Sequence, residues 1–229
     1  MSTKKKIFWF LGAIGAGIGV AWWVKKRSTE VPGLADWQKS LIEKYGFDKG
    51  KTLSDRIRGE YPLLLCQQAM PENTILRWHL TKNILPGLTL YRVLLEENGG
   101  DQPAALAEVD RIFRARVKHR TGKILPALEK LPDPFMFLLR AFDGIMKVYP
   151  DEGWDFQFIE KSSERIAFNC TRCFYLNTLT ALGAPELTSS FCKMDDVMAE
   201  AFPRQIRFER LYTLGRGNDV CDFQYIHHR

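Results

Sequence analysis

The body of this chain lacks a charge excess of either sign. The 229 residues contain 33 Lys and Arg against 27 Asp and Glu. Six of those bases flank one N-terminal segment, at Lys4–Lys6 and Lys25–Arg27, so residues 28–229 hold 27 bases and 27 acids. A nucleic-acid interface needs a basic face on the folded domain. The sequence therefore predicts no nucleic-acid partner.

The common catalytic motifs are also missing. The sequence contains no HExxH, GxSxG, P-loop or GxGxxG pattern, so zinc proteases, α/β-hydrolases and nucleotide enzymes have no support. Five cysteines, an odd number with four in residues 170–221, argue against a secreted disulfide scaffold. They favour a reducing compartment, and so a soluble domain on the cytoplasmic side of any membrane.

What is present first is an uncharged N-terminal stretch of 18 residues, Ile7–Val24. As a helix it is about 27 Å long at 1.5 Å per residue, close to a hydrocarbon core of roughly 30 Å. Aromatic residues stand at both ends, as in an interfacial belt, and no small-residue cleavage site follows. Residues 1–27 are therefore predicted to be a single-pass transmembrane anchor in membrane lipid, with the basic flanks leaving its orientation open.

Glycines in this stretch predict a partner. Gly12, Gly15 and Gly19 lie on it, and the last two form a GxxxG pattern that lets a second helix approach closely. We expect an integral-membrane protein to pack there, unless the glycines reflect only their frequency in membrane helices.

The rest of the chain predicts an α+β fold. Residues 28–69 are interpreted as a linker and a short helix, and residues 70–229 as the main domain. That domain begins with a helical half, where apolar residues recur at helical spacing up to Tyr149. From Trp154 the apolar period becomes two. The order of elements is then ββααββ, which predicts an antiparallel sheet with helices packed on it.

Four cysteines in this sheet-forming half are candidates for chemistry. Cys170, Cys173, Cys192 and Cys221 could bind a metal ion or form a thiol cluster, although the pattern lacks a second CxxC. Each could equally be a small buried apolar residue. Cys173 lies where a strand meets a helix, and a helix N-terminus is expected to lower the pKa of its thiol. The cofactor is otherwise unknown.

A second candidate site combines a thiol with acids and a base. Cys192-x-x-Asp195-Asp196 places both acids beside the thiol on one helix face, so Cys192 or Cys173 could be a nucleophile and Asp195 an acid/base. Arg210 is predicted to point toward the core, where it needs a carboxylate. Its partner could be Asp195, Asp196, Asp222 or the carboxylate of a ligand.

Several stretches resemble the L-2-amino-thiazoline-4-carboxylic acid hydrolase family. The resemblance covers roughly residues 80–226, with motifs in order: Asn83–Arg92, Tyr149–Trp154, Phe168–Cys173, Leu182–Leu187, Phe191–Asp195 and Arg210–Phe223. It implies hydrolytic opening of a thiazoline ring to give N-carbamoyl-cysteine. In that reaction Cys192 or Cys173 would be the nucleophile and Asp195 the acid/base, while Arg210 and Asp222 would bind substrate.

Two other interpretations remain open at this point. The chain could be a non-catalytic accessory subunit of a membrane complex, held by its glycine-rich helix, because soluble amino-acid chemistry needs no tether. It could also be a small-molecule or tetrapyrrole-binding module, since vinyl-reductase-type binding domains have a similar cysteine-bearing ββααββ arrangement.

Overall fold

A computed structural model describes residues 30–122 and 125–228. The anchor predicted at residues 1–27, with Gly12, Gly15 and Gly19, lies outside these residues. Within the part that the structure describes, none of the helices is both long and apolar enough to cross a membrane.

The described chain begins with two helices rather than a linker. Helix α1 spans Leu34–Tyr45 and α2 spans Phe47–Cys66, and Gly46, at a φ of 80°, joins them. Where the sequence indicated a linker with one short helix in residues 28–69, the structure has two helices. Both helices bury apolar side chains in the main core: Leu34, Trp37, Leu41, Leu53, Ile57, Tyr61 and Leu64.

The helical half continues as one interrupted helix and a long one. Helix α3 spans Thr74–His79, a π-helical turn covers Leu80–Ile84, and α4 spans Leu85–Glu97. Two glycines after Asn98 adopt positive φ angles and end α4. Helix α5 spans Gln102–Thr121, and Asp101 caps it by accepting a hydrogen bond from the Ala104 amide at 3.0 Å.

The prolines near residue 130 mark the expected break. A 3₁₀ turn covers Leu125–Lys130, and α6 then spans Pro134–Met146. Asp133 caps α6 through the Met136 amide at 2.8 Å. Proline at the first position of α6 fits a helix start, because its missing N–H would have no partner there.

The second half forms the predicted antiparallel sheet. Its strands are β1 (Trp154–Lys161), β2 (Arg165–Cys173), β3 (Ile206–Glu209) and β4 (Cys221–His227). They lie in the order β1-β2-β4-β3, with antiparallel neighbours throughout. Between β2 and β3 come α7 (Phe174–Ala181), a 3₁₀ turn (Pro185–Leu187) and α8 (Thr188–Ala199). The α+β fold with its ββααββ half is confirmed.

One sheet face packs against the helices, because alternate residues of a strand point to the same side. Phe168 of β2 stacks on Phe223 of β4, with ring centroids 5.0 Å apart. Phe142 of α6 covers Phe168 from the helical layer at 5.6 Å. Cys170 and Cys221 are register partners on the same face, and both are buried.

Gly87 of α4 lies close to Phe191 of α8 and Phe113 of α5. A Cβ atom there would lie 2.6 Å from Phe191 Cζ and 3.1 Å from Phe113 Cζ. We expect Gly87→Ala to lower the free energy of unfolding by about 1–3 kcal/mol through overpacking. Gly144→Ala is the control, since Gly144 is exposed in α6 with nothing within 4 Å of its Cβ position. That variant should gain up to about 1 kcal/mol from helix propensity. Melting temperatures of both variants test this, and stabilisation by both would contradict the packing.

Candidate functional site

Arg210, which follows β3, holds the two acids of α8. Its Nη1 donates to Asp195 Oδ2 at 2.7 Å and its Nη2 to Asp196 Oδ1 at 2.8 Å. Nη2 also donates to the Cys192 carbonyl at 2.8 Å. Only 1% of the Arg210 side chain is exposed. Burial lowers its pKa, but the two carboxylates more than offset this and raise the pKa above its ordinary value. The guanidinium is therefore a permanent charge that fixes α8 to the sheet.

Aromatic rings enclose the same guanidinium. Its Cζ lies 5.1 Å from the ring centroid of Phe223 and 5.7 Å from that of Phe208, within the range of cation–π attraction. Its Nε is buried and has no hydrogen-bond partner among the described residues. Asp195 and Asp196 are thus the carboxylate partners that the sequence required, and they occupy the two terminal nitrogens.

Asp222 does not belong to this cluster. Its carboxylate accepts a hydrogen bond from the Tyr212 amide at 2.6 Å. It alternates along β4 with Cys221 and Phe223, so it faces the opposite side of the sheet. The structure shows it in a loop-closing contact with Tyr212, on the sheet face away from Arg210.

The Asp195 side chain is partly desolvated and yet partly exposed. Burial among surrounding side chains raises the pKa of its carboxyl, and the Arg210 guanidinium offsets only part of this rise. Nevertheless 40% of its side-chain surface is accessible. A carboxyl that is partly desolvated and partly accessible is a candidate for binding or catalysis.

Three tyrosines respond to the charge of Asp195. Burial raises the pKa of Tyr149, Tyr175 and Tyr225, and in each case the Asp195 charge adds to the rise. All three retain accessible surface. The pKa values of Cys173 and Cys192 also respond to the Asp195 charge. We use the name Asp195 cleft for this group of side chains: Tyr149, Cys173, Tyr175, Cys192, Asp195 and Tyr225.

The thiols of this cleft are protonated at neutral pH. Burial raises the pKa of Cys192 to about 12, and the nearby Asp195 charge contributes. Cys173 is the N-cap residue of α7, yet burial raises its pKa to about 11 despite the opposing effect of the Leu176 and Tyr175 amides. The expectation that the helix N-terminus lowers the Cys173 pKa is therefore wrong, because desolvation outweighs the amide dipoles.

The four cysteines lie near one another without forming a metal site. Cys170 Sγ donates to the Arg172 carbonyl at 3.1 Å, and Cys221 Sγ accepts from the Leu214 amide at 3.2 Å. Within residues 30–122 and 125–228, no group of three or more His, Cys, Asp or Glu side chains is arranged to hold a metal ion. The geometry of these residues gives the thiolate-cluster interpretation no support.

A surface pocket is lined in part by Arg210. Its volume is about 410 Å³, and Asp196, Glu200, Arg207 and Phe208 line it together with Arg210. Its charged residues are already paired, since Glu200 binds Arg114 at 2.7 Å and Arg207 binds Glu209 at 3.0 Å. The Asp195 cleft differs in having an accessible, desolvated carboxyl among tyrosines and thiols. We take the cleft as the candidate active site for that reason.

His79 belongs to none of the motifs recognised in the sequence, yet it contacts Tyr175 of the Asp195 cleft. His79 is fully buried at the end of α3. Its Nδ1 lies 2.9 Å from the Tyr175 hydroxyl and its Nε2 lies 2.9 Å from the Val148 carbonyl. The two side chains are 96 residues apart in sequence, so no spacing rule could join them. The only local signal is that His79 precedes a motif of the family resemblance.

His79 makes the stability of the protein sensitive to acid. Burial lowers its pKa from 6.5 to about 4, with the Val148 carbonyl acting in the opposite direction. Below pH 6.5 the unfolded chain takes up this proton and the folded chain does not, so stability falls with falling pH until about pH 4. At 1.36 kcal/mol per pH unit the loss between pH 6.5 and pH 5 is about 2 kcal/mol.

This pH effect is measured by urea denaturation at pH 7 and pH 5, for the wild type and for His79→Gln. The variant is less stable at pH 7 but should lose about 2 kcal/mol less than the wild type on acidification. An equal pH dependence in both proteins would contradict a buried neutral His79.

Together these observations define an α+β domain in which a buried arginine after β3 pairs with two acids of α8. The model of the L-2-amino-thiazoline-4-carboxylic acid hydrolase family matches residues 77–225. The chain belongs to this family, and the family resemblance in the sequence is confirmed.

Comparisons with other known proteins add little. No curated protein matches the chain. A crystal structure of the Fe(II) unliganded H-NOX protein from K. algicida is 14% identical, covering 86% of this chain and 95% of its own, with a TM-score of 0.38. A mutant of that protein gives 14% identity, coverage of 86% and 97%, and a TM-score of 0.37. Scores this low carry no argument about this protein.

Proposed function

We propose that this protein is a hydrolase that opens the ring of 2-amino-thiazoline-4-carboxylate, or of a close cyclic relative, in the Asp195 cleft. One observation carries the proposal: the Asp195 carboxyl is accessible, while Arg210, itself fully buried, holds it in place. Family membership supports the class of reaction.

In the proposed reaction, Asp195 acts as a general base and then as a general acid. It takes a proton from a water molecule, and the water oxygen forms a bond to ring carbon C2, between sulfur and nitrogen. The C2–S bond breaks, and the sulfur takes the proton from Asp195. The net change is the addition of one water molecule, which gives N-carbamoyl-cysteine.

Water is the preferred nucleophile because the cleft thiols lack charge. A thiol reacts as its thiolate, and the pKa values of Cys192, about 12, and Cys173, about 11, keep both protonated at neutral pH. Asp195 needs only to be ionised, and Arg210 favours its ionised form. Arg210 then serves as the residue that positions the base, because Asp195 and Asp196 occupy its terminal nitrogens.

The test uses the full-length protein, purified in mild detergent and incubated with 2-amino-thiazoline-4-carboxylate. We expect a product heavier by one water molecule in mass spectra, together with one new free thiol per product. Unchanged substrate after prolonged incubation with folded protein would contradict the proposal.

A second candidate function rests on the uncharged residues 7–24 and their glycines. If they anchor the chain in a membrane, the domain serves as an accessory subunit that contacts integral-membrane proteins of a complex. Stable co-purification with such a complex, without turnover, would favour this function over the hydrolase. Release of the full-length chain from membranes by high salt alone, without detergent, would contradict the anchor.

A further inference from the structure

Arg116 of α5 is largely buried, yet it makes no hydrogen bond to any residue that the structure describes. Only 16% of its side chain is exposed, and Asp36 Oδ2 lies 3.7 Å from its Nε, beyond hydrogen-bond distance. That Nε is itself buried. The equally buried Arg210 differs, since three acceptors bind its guanidinium. Because buried charged groups normally have such partners, the donors of Arg116 are available to an acceptor that reaches the side chain.

The N-terminus of α1 adds positive potential at the same place. Gly33 is the N-cap residue of α1, at a φ of 91°, and no side chain caps the helix. A Cβ atom at Gly33 would lie 2.7 Å from both Cζ and Nη1 of Arg116, so the guanidinium is in contact with the start of the helix. The first amides of a helix carry partial positive charge. A cation beside them is repelled, and an anion that contacts both groups removes this repulsion.

Trp37 restrains the guanidinium at this helix terminus. The Cζ atom of Arg116 lies 5.6 Å from the centroid of the Trp37 ring, within the range of cation–π attraction. Trp37 is only 1% exposed and packs against Phe113 with ring centroids 6.2 Å apart. Its Nε1 is buried, and it also has no hydrogen-bond partner among the described residues. Packing, and not an acceptor, therefore fixes the position of Arg116.

The charges nearby do not neutralise Arg116 fully. Burial lowers its pKa to about 10 and the charge of Arg120 lowers it further, while Asp36 acts in the opposite direction. The guanidinium is therefore still charged at neutral pH. Asp36 is 39% exposed, so its hydrated carboxylate compensates only weakly. An additional anion would stabilise the charged group.

We propose that Arg116 and the N-terminus of α1 bind a phosphate group. The terminal nitrogens of Arg116 donate to two phosphate oxygens, and first-turn amides of α1 donate to a third. Gly33 permits this arrangement because it has no Cβ atom to displace the guanidinium. The site shares no residue with the Asp195 cleft, so it does not depend on the proposed hydrolase. The phosphate belongs either to a lipid head group or to a soluble compound.

Thermal denaturation of the full-length protein in inorganic phosphate tests the site. Sodium chloride at equal ionic strength is the reference for screening. A ligand of the folded state raises the melting temperature, and we expect this rise in the wild type and in Arg114→Met but not in Arg116→Met. Arg114 is the matched control on the same helix, because it is 48% exposed and already paired with Glu200 at 2.7 Å. The general stabilisation by phosphate salts acts on all three proteins, so the difference between them is the readout.

Asp36→Asn provides a test that a loss of folding cannot imitate. The substitution removes the one acid beside the guanidinium, so phosphate meets less competition. Titration calorimetry should show phosphate affinity about two- to fivefold higher than in the wild type. Arg116→Met should lower the same affinity at least about tenfold, as expected for the loss of charge-assisted hydrogen bonds. Weaker phosphate binding by folded Asp36→Asn would contradict the site.

Vesicles of phosphatidylcholine, with and without phosphatidic acid, identify the source of the phosphate. If phosphatidic acid increases co-sedimentation of the wild type and Arg114→Met but not of Arg116→Met, a lipid head group occupies the site. If only inorganic phosphate shows this dependence on Arg116, the ligand is soluble. The site is overturned if Arg116→Met responds like the wild type in both experiments, or if the folded wild type responds in neither.

Discussion

Asp195→Asn should lower kcat/KM for the aminothiazoline about 10²- to 10⁴-fold, the usual contribution of a general base. The amide keeps the shape of the side chain and a hydrogen bond to Arg210 through its oxygen, but it cannot take a proton from water. The measurement is the rate of thiol release by the full-length protein. Melting temperatures of the variant and the wild type show whether the fold is kept.

Asp196→Asn is the matched control for this loss. It removes the same charge from the other side of the same guanidinium, where 43% of the side chain is exposed at the surface pocket. We expect it to lower kcat/KM by about tenfold or less. Equal losses in the two variants would mean that the pair acts only through its charge on Arg210, and they would contradict a base at Asp195.

The pH profile of the wild type provides a further check on the base. A general base works only when ionised, so the rate falls as pH falls through its pKa. Burial raises the Asp195 pKa despite Arg210. The acid limb of kcat/KM should therefore lie above the ordinary aspartate range and be absent from the residual activity of Asp195→Asn.

Arg210→Met should lower the free energy of unfolding by about 2–4 kcal/mol. Removing one partner of a buried ion pair costs roughly 3–5 kcal/mol because the other partner loses its compensation. Here the carboxylates are 40% and 43% exposed, so they regain some hydration and the loss lies toward the lower end. Methionine retains much of the apolar contact with Phe208 and Phe223, which restricts the change to the charge and its hydrogen bonds.

Denaturation of Arg210→Met and Arg207→Met side by side measures this effect. Arg207 is an exposed neighbour that pairs only with Glu209 in the described structure, and its loss should change stability by no more than about 0.5 kcal/mol. If Arg210→Met is as stable as Arg207→Met, Arg210 does not fix α8 to the sheet.

The sequence predicts the sheet-forming half well, because its signals are local. Alternation from Trp154 onward identifies the strands, and the same alternation directs Arg210 inward and indicates a carboxylate partner. The acids at Asp195 and Asp196 were among the candidates, and the structure selects them. Asp222 does not pair with Arg210, because it lies on the opposite sheet face, and that placement depends on where β4 begins.

Other features depend on distances that a sequence does not contain. Two opposing effects act on the pKa of the Cys173 thiol: the helix amides lower it and burial raises it. Only the structure shows that burial has the larger effect. His79 in α3 contacts Tyr175 in α7. The distance between the two residues in the sequence gives no indication of this contact. The sequence indicated one short helix in residues 28–69 where the structure has two, although Leu53, Ile57 and Tyr61 follow a helical period.

We propose that Asp195 and water carry out the chemistry, with neutral thiols beside them. The most direct test is kcat/KM of Cys192→Ala, measured by thiol release from 2-amino-thiazoline-4-carboxylate. We predict a value within about threefold of the wild type, since the variant removes only a protonated neighbour of Asp195. A loss of about a hundredfold or more in folded Cys192→Ala, with Asp195→Asn still active, would contradict the account and make Cys192 the nucleophile.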